Sequence, residues 1–315
     1  MAMRVTNSMM TNSVLNNLNT NMKRLDKYQR QMASEKRITK LSDDPVGVIT
    51  CMQARAKMSK INQYQDSIAS ARKWIETTEG AMSDINAIMT NCYETAIDMA
   101  TDAKTTQDRQ AGAEYIKQMM GHLVQTANAS VGEQYVLSGY NTANPPFKVD
   151  EATGKLLYNG LEMYPTPDPA IAAEKDQKIK FEIGYGLDTE VTFTGAYVMG
   201  EGSDNLYAKL EALYNDLMDP TKTAEDINKH IQPLQDGQAS VLSKMAELGG
   251  RDNRLEMIEQ RYEQEYLSYQ TRLSEVEDID LAEVAIMESM AKAVYQAALQ
   301  TGASIIQPTL MDYMR

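Results

Sequence analysis

Histidine, cysteine and tryptophan are scarce in this chain: two, two and one among 315 residues. His122 and His230 sit in helical-looking segments, and neither has a carboxylate or Cys cluster at metal-ligand spacing. If residues 44–99 form one helix, Cys51 and Cys92 lie on the order of 60 Å apart, beyond the reach of a disulfide. They are read as free thiols with a packing role. Aromatic residues make up 7%, with three Phe. No apolar run is long enough to cross a bilayer. Residues 1–20 lack the apolar core of a Sec signal peptide, so the expectation is a cytoplasmic protein or one exported without a cleaved signal. A Gly-rich phosphate loop, an HExxH pair and a G-x-S-x-G elbow are also missing. The expectation is no catalytic residue, no cofactor, no metal and no enzyme activity.

What the chain does have is helical periodicity. Ile61, Tyr64, Ile68, Ala71, Ile75, Thr78, Met82, Ile85, Met89, Cys92, Ala96 and Met99 follow one another in alternating steps of three and four. Only a helix with one face held against another helix needs that spacing. No Pro interrupts the stretch, and Gly80 lies off the seam. At about 1.5 Å per residue the seam runs roughly 60 Å, longer than a compact domain is wide. The pattern describes a rod that needs partners along its length. The 22 methionines are read as filler for irregular helix–helix gaps.

Upstream, a heptad carries Leu15, Leu18, Met22, Leu25 and Met32, broken once at Gln29. Ser42-Asp43-Asp44-Pro45 is a helix start, with Asp44 as cap and Pro45 at the first helical position. The long helix should end near residues 101–106. A second helix should begin near Asp108, with Ile116, Met119, Leu123 and Ala127 on one face. Residues 139–203 hold five of the nine prolines and eight of the seventeen glycines, and the period shifts toward two. Residues 147–149, 155–158, 179–183 and 190–193 read as strands, Asn159-Gly160 as a tight turn, and residues 164–169 as an exposed loop.

Helix returns at Ser203 or Asp204, carries Leu206, Leu210, Leu213 and Leu217, and ends at Pro220. A second seam follows through Ile227, Ile231, Leu234, Gln238, Val241, Met245 and Leu248, with Pro233 expected to kink it or delay its start. Gly249-Gly250 reads as a break. Another helix then carries Leu255, Ile258, Tyr262, Tyr266, Tyr269, Leu273 and Val276. Asp280 and Glu283 have capping-box spacing. The last helix shows Val284, Met287, Ala291, Val294, Ala298 and Ile305 on one line, with Ile286, Met290, Leu299 and Ile306 off it. That apolar surface is wider than one neighbour covers, which marks an assembly contact.

The fold class is therefore mainly α: a long antiparallel helical rod or coiled coil built from both chain ends, with a small inserted β domain. Residues 1–44 and 280–315 form terminal coiled-coil arms, disordered in the monomer. Residues 45–138 and 204–279 form a helical rod domain, and residues 139–203 an outer β domain. The candidate assembly contacts are Leu15, Leu18, Met22 and Leu25 at one end, and Val284, Met287, Ala291, Val294, Ala298 and Ile305 at the other. The two ends must meet, since each has an apolar stripe and no local partner.

Charge is uneven. The net charge is −13, yet residues 1–60 hold 11 Lys/Arg and 4 Asp/Glu, so they carry +7 and the rest −20. The positives interleave with a heptad rather than with aromatics or Gly, and the acidic stretch 252–288 offers an internal counter-charge. No nucleic acid is expected as partner, and no membrane insertion.

Several motifs together resemble the flagellin superfamily, and within it the subunits that join hook to filament. They are Met32-Ala33-Ser34-Glu35-Lys36-Arg37-Ile38, Ser42-Asp43-Asp44-Pro45-Val46, Gln63-Tyr64-Gln65 and Trp74-Ile75-Glu76-Thr77-Thr78-Glu79. Tyr135-Val136-Leu137-Ser138-Gly139, Leu248-Gly249-Gly250-Arg251 with Leu255-Glu256, and residues 278–283 add to them. Glu35 stands where that family usually has Gly, and Pro233 falls inside a family helix. The resemblance implies a secreted structural subunit that passes through the flagellar type III export channel. Its implied partners are hook-associated protein 1, flagellin, copies of itself in a ring, and a cytoplasmic flagellar export chaperone bound to the C-terminal helix. Two other readings remain: a flagellin filament subunit, and a cytoplasmic coiled-coil adaptor.

Overall fold

The computed structural model describes residues 7–101, 103–150 and 154–305. In chain order they form α1 (Asn7–Ser34), α2 (Pro45–Met99) and α3 (Thr106–Ala127). Five short strands follow: β1 (Ser130–Val131), β2 (Gln134–Tyr135), β3 (Phe147–Val149), β4 (Leu156–Tyr158) and β5 (Leu161–Glu162). Next come α4 (Ala170–Lys175), β6 (Lys180–Gly184), β7 (Leu187–Glu190) and α5 (Gly195–Met199). The chain closes with α6 (Leu206–Met218), α7 (Ala224–Asn228), α8 (Ile231–Glu277) and α9 (Leu281–Ile305). Two compact units share these elements. One combines the chain up to Ile61 with the chain from Glu263 onward; the other is Asn62–Tyr262.

The second unit contains the seam. Asp44 Oδ1 accepts the N–H of Gly47 at 2.9 Å, and α2 begins at Pro45, as the start signal implies. From Ile68 to Met99 every seam residue is buried, including Ile75, Met82, Ile85 and Met89. Burial alone pushes the Cys92 thiol up to about 12, so it packs as a small apolar group. Within this unit the seam faces α8 in antiparallel fashion. Gln238 Nε2 donates to Thr90 Oγ1 (2.8 Å), and Arg72 pairs with Asp252 (3.1 Å) and Glu259 (3.0 Å). Tyr64 stacks on Tyr262 with ring centroids 5.7 Å apart. Each fully buried aliphatic side chain contributes on the order of 1.5–3 kcal/mol, so the stripe dominates local stability.

The α2 helix stops at Met99. The reciprocal capping box of Thr105 and Asp108 then starts α3. Its buried face uses Ile116, Met120, Leu123 and Ala127, so Met120 takes the place given to Met119. Asn205, not Ser203 or Asp204, caps α6, accepting the N–H of Ala208 at 3.1 Å; a 3-10 turn occupies Gly202–Asp204. The α6 face of Leu206, Leu210, Leu213 and Leu217 is buried as the spacing implies.

Between the helices the strands form three small antiparallel sheets of two, three and two strands. Asn159 (φ 49°) and Gly160 (φ 87°) link β4 to β5 with the two left-handed residues that a tight hairpin turn requires. Tyr158 donates its hydroxyl to the Leu137 carbonyl at 3.0 Å. Two assignments shift, one strand and one loop. Residues 191–193 lie beyond β7, yet Val191 and Phe193 are buried. In the 164–169 loop Tyr164 is buried against Tyr207, so the segment is a packed corner rather than a wholly exposed loop.

Two helix-breaking signals behave differently. Pro233 sits at the third residue of α8, where its missing N–H costs no helical bond, so the helix starts close to it without a break. Gly249-Gly250 does not end the helix; α8 runs through it. Buried Leu248 and Leu255 on either side hold the pair helical against a propensity cost of about 1 kcal/mol per Gly.

Glu35 follows the last residue of α1 with φ 55°, in the left-handed region. A side chain there costs roughly 1–2 kcal/mol. Glu35→Gly is expected to leave stability unchanged or raise it by up to about 1 kcal/mol, after the entropy of the unfolded Gly is counted. Glu35→Val is expected to lower it by at least about 1 kcal/mol, because β-branched residues fit that region worst. Urea unfolding followed by far-ultraviolet circular dichroism checks both.

Candidate assembly surface

The first unit pairs the chain ends. α1 packs on α9. Gln29 Nε2 donates to Glu288 Oε1 (3.4 Å), and a Cβ on Gly302 would stand 3.0 Å from Val14 Cγ1, so the two helices run antiparallel. The bare Gly302 lets them approach closely. The half-buried register is Val14, Leu18, Asn21, Leu25 and Tyr28 on α1, against Val284, Glu288, Ala291, Tyr295 and Ala298 on α9. Leu18, Leu25, Val284, Ala291 and Ala298 are thus half-buried between the helices.

Leu15, Met22, Met287 and Val294 are exposed, Met22 to 56%. Small residues explain the split on α9: Ala291, Ala298 and Gly302 bring α1 near, and the larger Met287 and Val294 turn outward. They are joined by exposed Ile286 and Met290. The α9 polar sector is narrow: Ser289, Lys292, Gln296 and Gln300 share one side. Ile305 ends α9 and its side chain lies outside the described residues; Ile306 lies outside them too.

Beside the paired ends is an ionic node that hydrophobic periodicity does not reveal. Glu277, the last residue of α8, is 5% exposed. Arg55 Nη2 sits between its two carboxylate oxygens at 2.5 and 2.6 Å, and Lys36 Nζ pairs with it at 2.6 Å. The Arg37 N–H donates to the Glu277 carbonyl (2.6 Å), and the Arg37 guanidinium donates to the Val276 carbonyl (2.8 and 3.1 Å). Arg37 also reaches Asp44, the α2 cap, at 3.2 Å. Gln31 closes the group by donating to the Arg37 carbonyl at 2.7 Å.

Three basic residues, Lys36, Arg37 and Arg55, therefore converge on the end of α8, and Gln31 braces Arg37. Here the basic start of the chain finds its counter-charge. The available signal was the motif Lys36-Arg37 beside an acidic stretch. What it lacked was the register that buries Glu277.

Burial alone would raise the Glu277 carboxyl, but hydrogen bonds and charges from Lys36 and Arg55 outweigh it and hold it below the usual carboxylate range. The Gly47 N–H, with Arg37, does the same for Asp44. Both groups stabilise the fold when ionised. Their contribution is therefore full above the ordinary carboxylate range and fades as pH falls through the folded-state values, which lie beneath it. Glu277→Gln is expected to cost about 1–3 kcal/mol at pH 7, toward the lower end because Arg55 and Lys36 are half-exposed. The gap between variant and parent should narrow as pH falls below the ordinary carboxylate range. Urea midpoints across that range check the sign.

His230 Nε2 meets Asp216 Oδ2 at 2.8 Å and His122 Nδ1 meets Thr126 Oγ1 at 3.0 Å. Among the described residues no group of three or more His, Cys, Asp or Glu stands where it could hold a metal ion. Among them, too, no helix is long and apolar enough to cross a membrane.

Residues 5–142 match the family of the bacterial flagellin N-terminal helical region. The chain is 24% identical over 313 residues to flagellar hook-associated protein 3 of Salmonella typhimurium, covering 95% of this chain and 96% of that one. A flagellin of Clostridium tyrobutyricum is 26% identical, but over 41% of this chain and 34% of its own length. A flagellar hook-associated protein from Vibrio parahaemolyticus has the same fold, with TM-score 0.65 at 20% identity over 75% of this chain and 100% of that one. So has the flagellar junction protein of Legionella pneumophila, with TM-score 0.58 at 13% identity over 73% of this chain and 100% of that one. The match to the flagellin N-terminal helical region thus lies in residues 5–142, and along nearly its whole length the chain is similar to flagellar hook-associated protein 3.

Proposed function

We propose that this chain is a structural subunit of the bacterial flagellum that joins the hook to the flagellin filament. The observation that carries the reading is the exposed apolar face on paired α1 and α9, made of Leu15, Met22, Met287 and Val294 with Ile286 and Met290. An apolar surface of this breadth at the two chain ends calls for neighbours outside one molecule. Copies of the same chain, arranged in a ring, cover part of it; hook-associated protein 1 and flagellin meet the ring from either side. Before assembly a cytoplasmic flagellar export chaperone shields α9, and the chain leaves through the type III export channel. In this reading residues 1–44 and 280–315 are the assembly arms, residues 45–138 and 204–279 the rod, and residues 139–203 the outer part. Its work is to hold other subunits, and no step of it is catalytic.

The second reading, a filament flagellin, is favoured by the flagellin N-terminal match over residues 5–142. Similarity points the other way, since flagellar hook-associated protein 3 of Salmonella typhimurium is 24% identical over 95% of the chain and the flagellar filament 41 kDa core protein of Borreliella burgdorferi 20% over 89%. Purified protein added to flagellin seeds separates the two. A junction subunit caps seeds without growing, and indefinite elongation would contradict the proposal.

The double variant Met290→Asp/Val294→Asp leaves the α1–α9 interface intact and places two charges on the exposed face. It is expected to be soluble, helical and exported, yet absent from purified flagella, with motility lost. Normal incorporation on immunoblots would remove the assembly role from this face. In the isolated monomer the arms lack their neighbours, so amide exchange in residues 7–34 and 281–305 should be faster than in the α2 seam. Equal protection would count against the arms being assembly elements.

A further inference from the structure

Lysines in this chain meet one of two fates. Each is paired with a carboxylate, as Lys36, Lys175 and Lys209 are, or exposed to water, as Lys57, Lys117 and Lys292 are. Among the described residues Lys244 alone has neither. It lies on α8, half-buried, and no carboxylate stands within ion-pair distance of its Nζ. That nitrogen donates to the Val198 carbonyl at a long 3.3 Å and sits 5.2 Å from the centre of the Tyr197 ring.

The amine opens on a cleft of about 410 Å³. Its charged lining comes from Lys175 on α4, Glu201 and Asp204 ahead of α6, Lys209 on α6 and Asp236 on α8. The carboxylates are engaged elsewhere: Glu201 with Lys175 (2.9 Å), Asp204 with Lys209 (3.9 Å) and Asp236 with Gln232 (2.8 Å). Tyr197 turns its hydroxyl to Glu247 at 3.0 Å. Burial, and then the like charges of Lys175 and Lys209, hold the Lys244 ammonium below the usual lysine range, with Asp204 opposing them. Near neutral pH a larger fraction of Lys244 is therefore free amine than at an exposed lysine. The free amine is the nucleophile.

We propose that Lys244 is an acyl-acceptor site, the lysine of the folded chain that small acyl phosphates modify first. The Nζ lone pair attacks the acyl carbon. An N–C bond forms, the C–O bond to phosphate breaks, phosphate leaves with that electron pair, and the amine proton passes to water. The product suits the place better than the ammonium does. An amide keeps one N–H, enough for the Val198 carbonyl, and sheds the charge that has no partner. The acyl group enters the cleft, whose lining also includes Met199 and Leu206. This chemistry does not depend on the flagellar reading.

The test incubates the purified full-length chain with acetyl phosphate near neutral pH and follows acetylation at each lysine by mass spectrometry. Lys244 is expected to react at least several-fold faster than exposed Lys57, Lys117 and Lys292. In urea that advantage should vanish, since the folded surroundings supply it. In the folded chain the rate at Lys244 should reach half its plateau at a lower pH than the rate at Lys117. Lys244→Arg should remove the fast site and leave the other rates unchanged. A rate at Lys244 equal to or below those of the exposed lysines would overturn the proposal. So would coinciding pH profiles, or an advantage that survives in urea.

Discussion

Burial of one helical stripe is the constraint on which the rest of the structure depends. From Ile68 to Met99 the seam of α2 is closed, and no polar group other than Thr78 enters it. Thr78 returns its hydroxyl to the Trp74 carbonyl at 2.8 Å, so even this polar group is satisfied inside the helix. A long helix with one apolar side has no stability of its own in water. It needs α8 beside it, and α8 needs the chain to return from a distant point in the sequence. The segment between can then vary in form, because its ends are fixed by packed helices. The three small sheets fit that description: each is too small to stand alone, and side chains such as Tyr158 and Tyr262 tie them down, the latter donating to the Ile183 carbonyl at 2.7 Å.

Charge works differently from packing here. Most ion pairs of the chain are exposed and contribute little. Among the described residues Glu277 is the most buried member of an ion pair, its carboxylate held by two cations at hydrogen-bond distance. Removing either cation leaves the buried Glu277 carboxylate short of a partner, whereas removing Glu277 leaves half-exposed Arg55 and Lys36 open to water. The node sets where the segment after α1 meets α2 and α8. It therefore bears on how the paired ends are presented to other molecules.

Much of this was legible in the sequence, for physical reasons. The three-and-four spacing of the α2 seam, the Asp44-Pro45 start and the Asn159-Gly160 turn each depend on local rules that the structure obeys. Elsewhere tertiary contacts decided. Gly249-Gly250 is a break by propensity, yet the seam on either side overrides it. On α9, apolar identity alone could not tell Val284 from Met287; the choice depended on which residues were small enough to admit α1. Glu277 was invisible because a buried glutamate looks like any other acid until its partners are known.

The central claim is that this molecule completes its packing against other subunits at one place in the flagellum. Gold-labelled antibody against the chain on intact flagella tests it directly. The account expects a single band where the filament leaves the hook. Label spread along the whole filament, or confined to the cell interior, would contradict it.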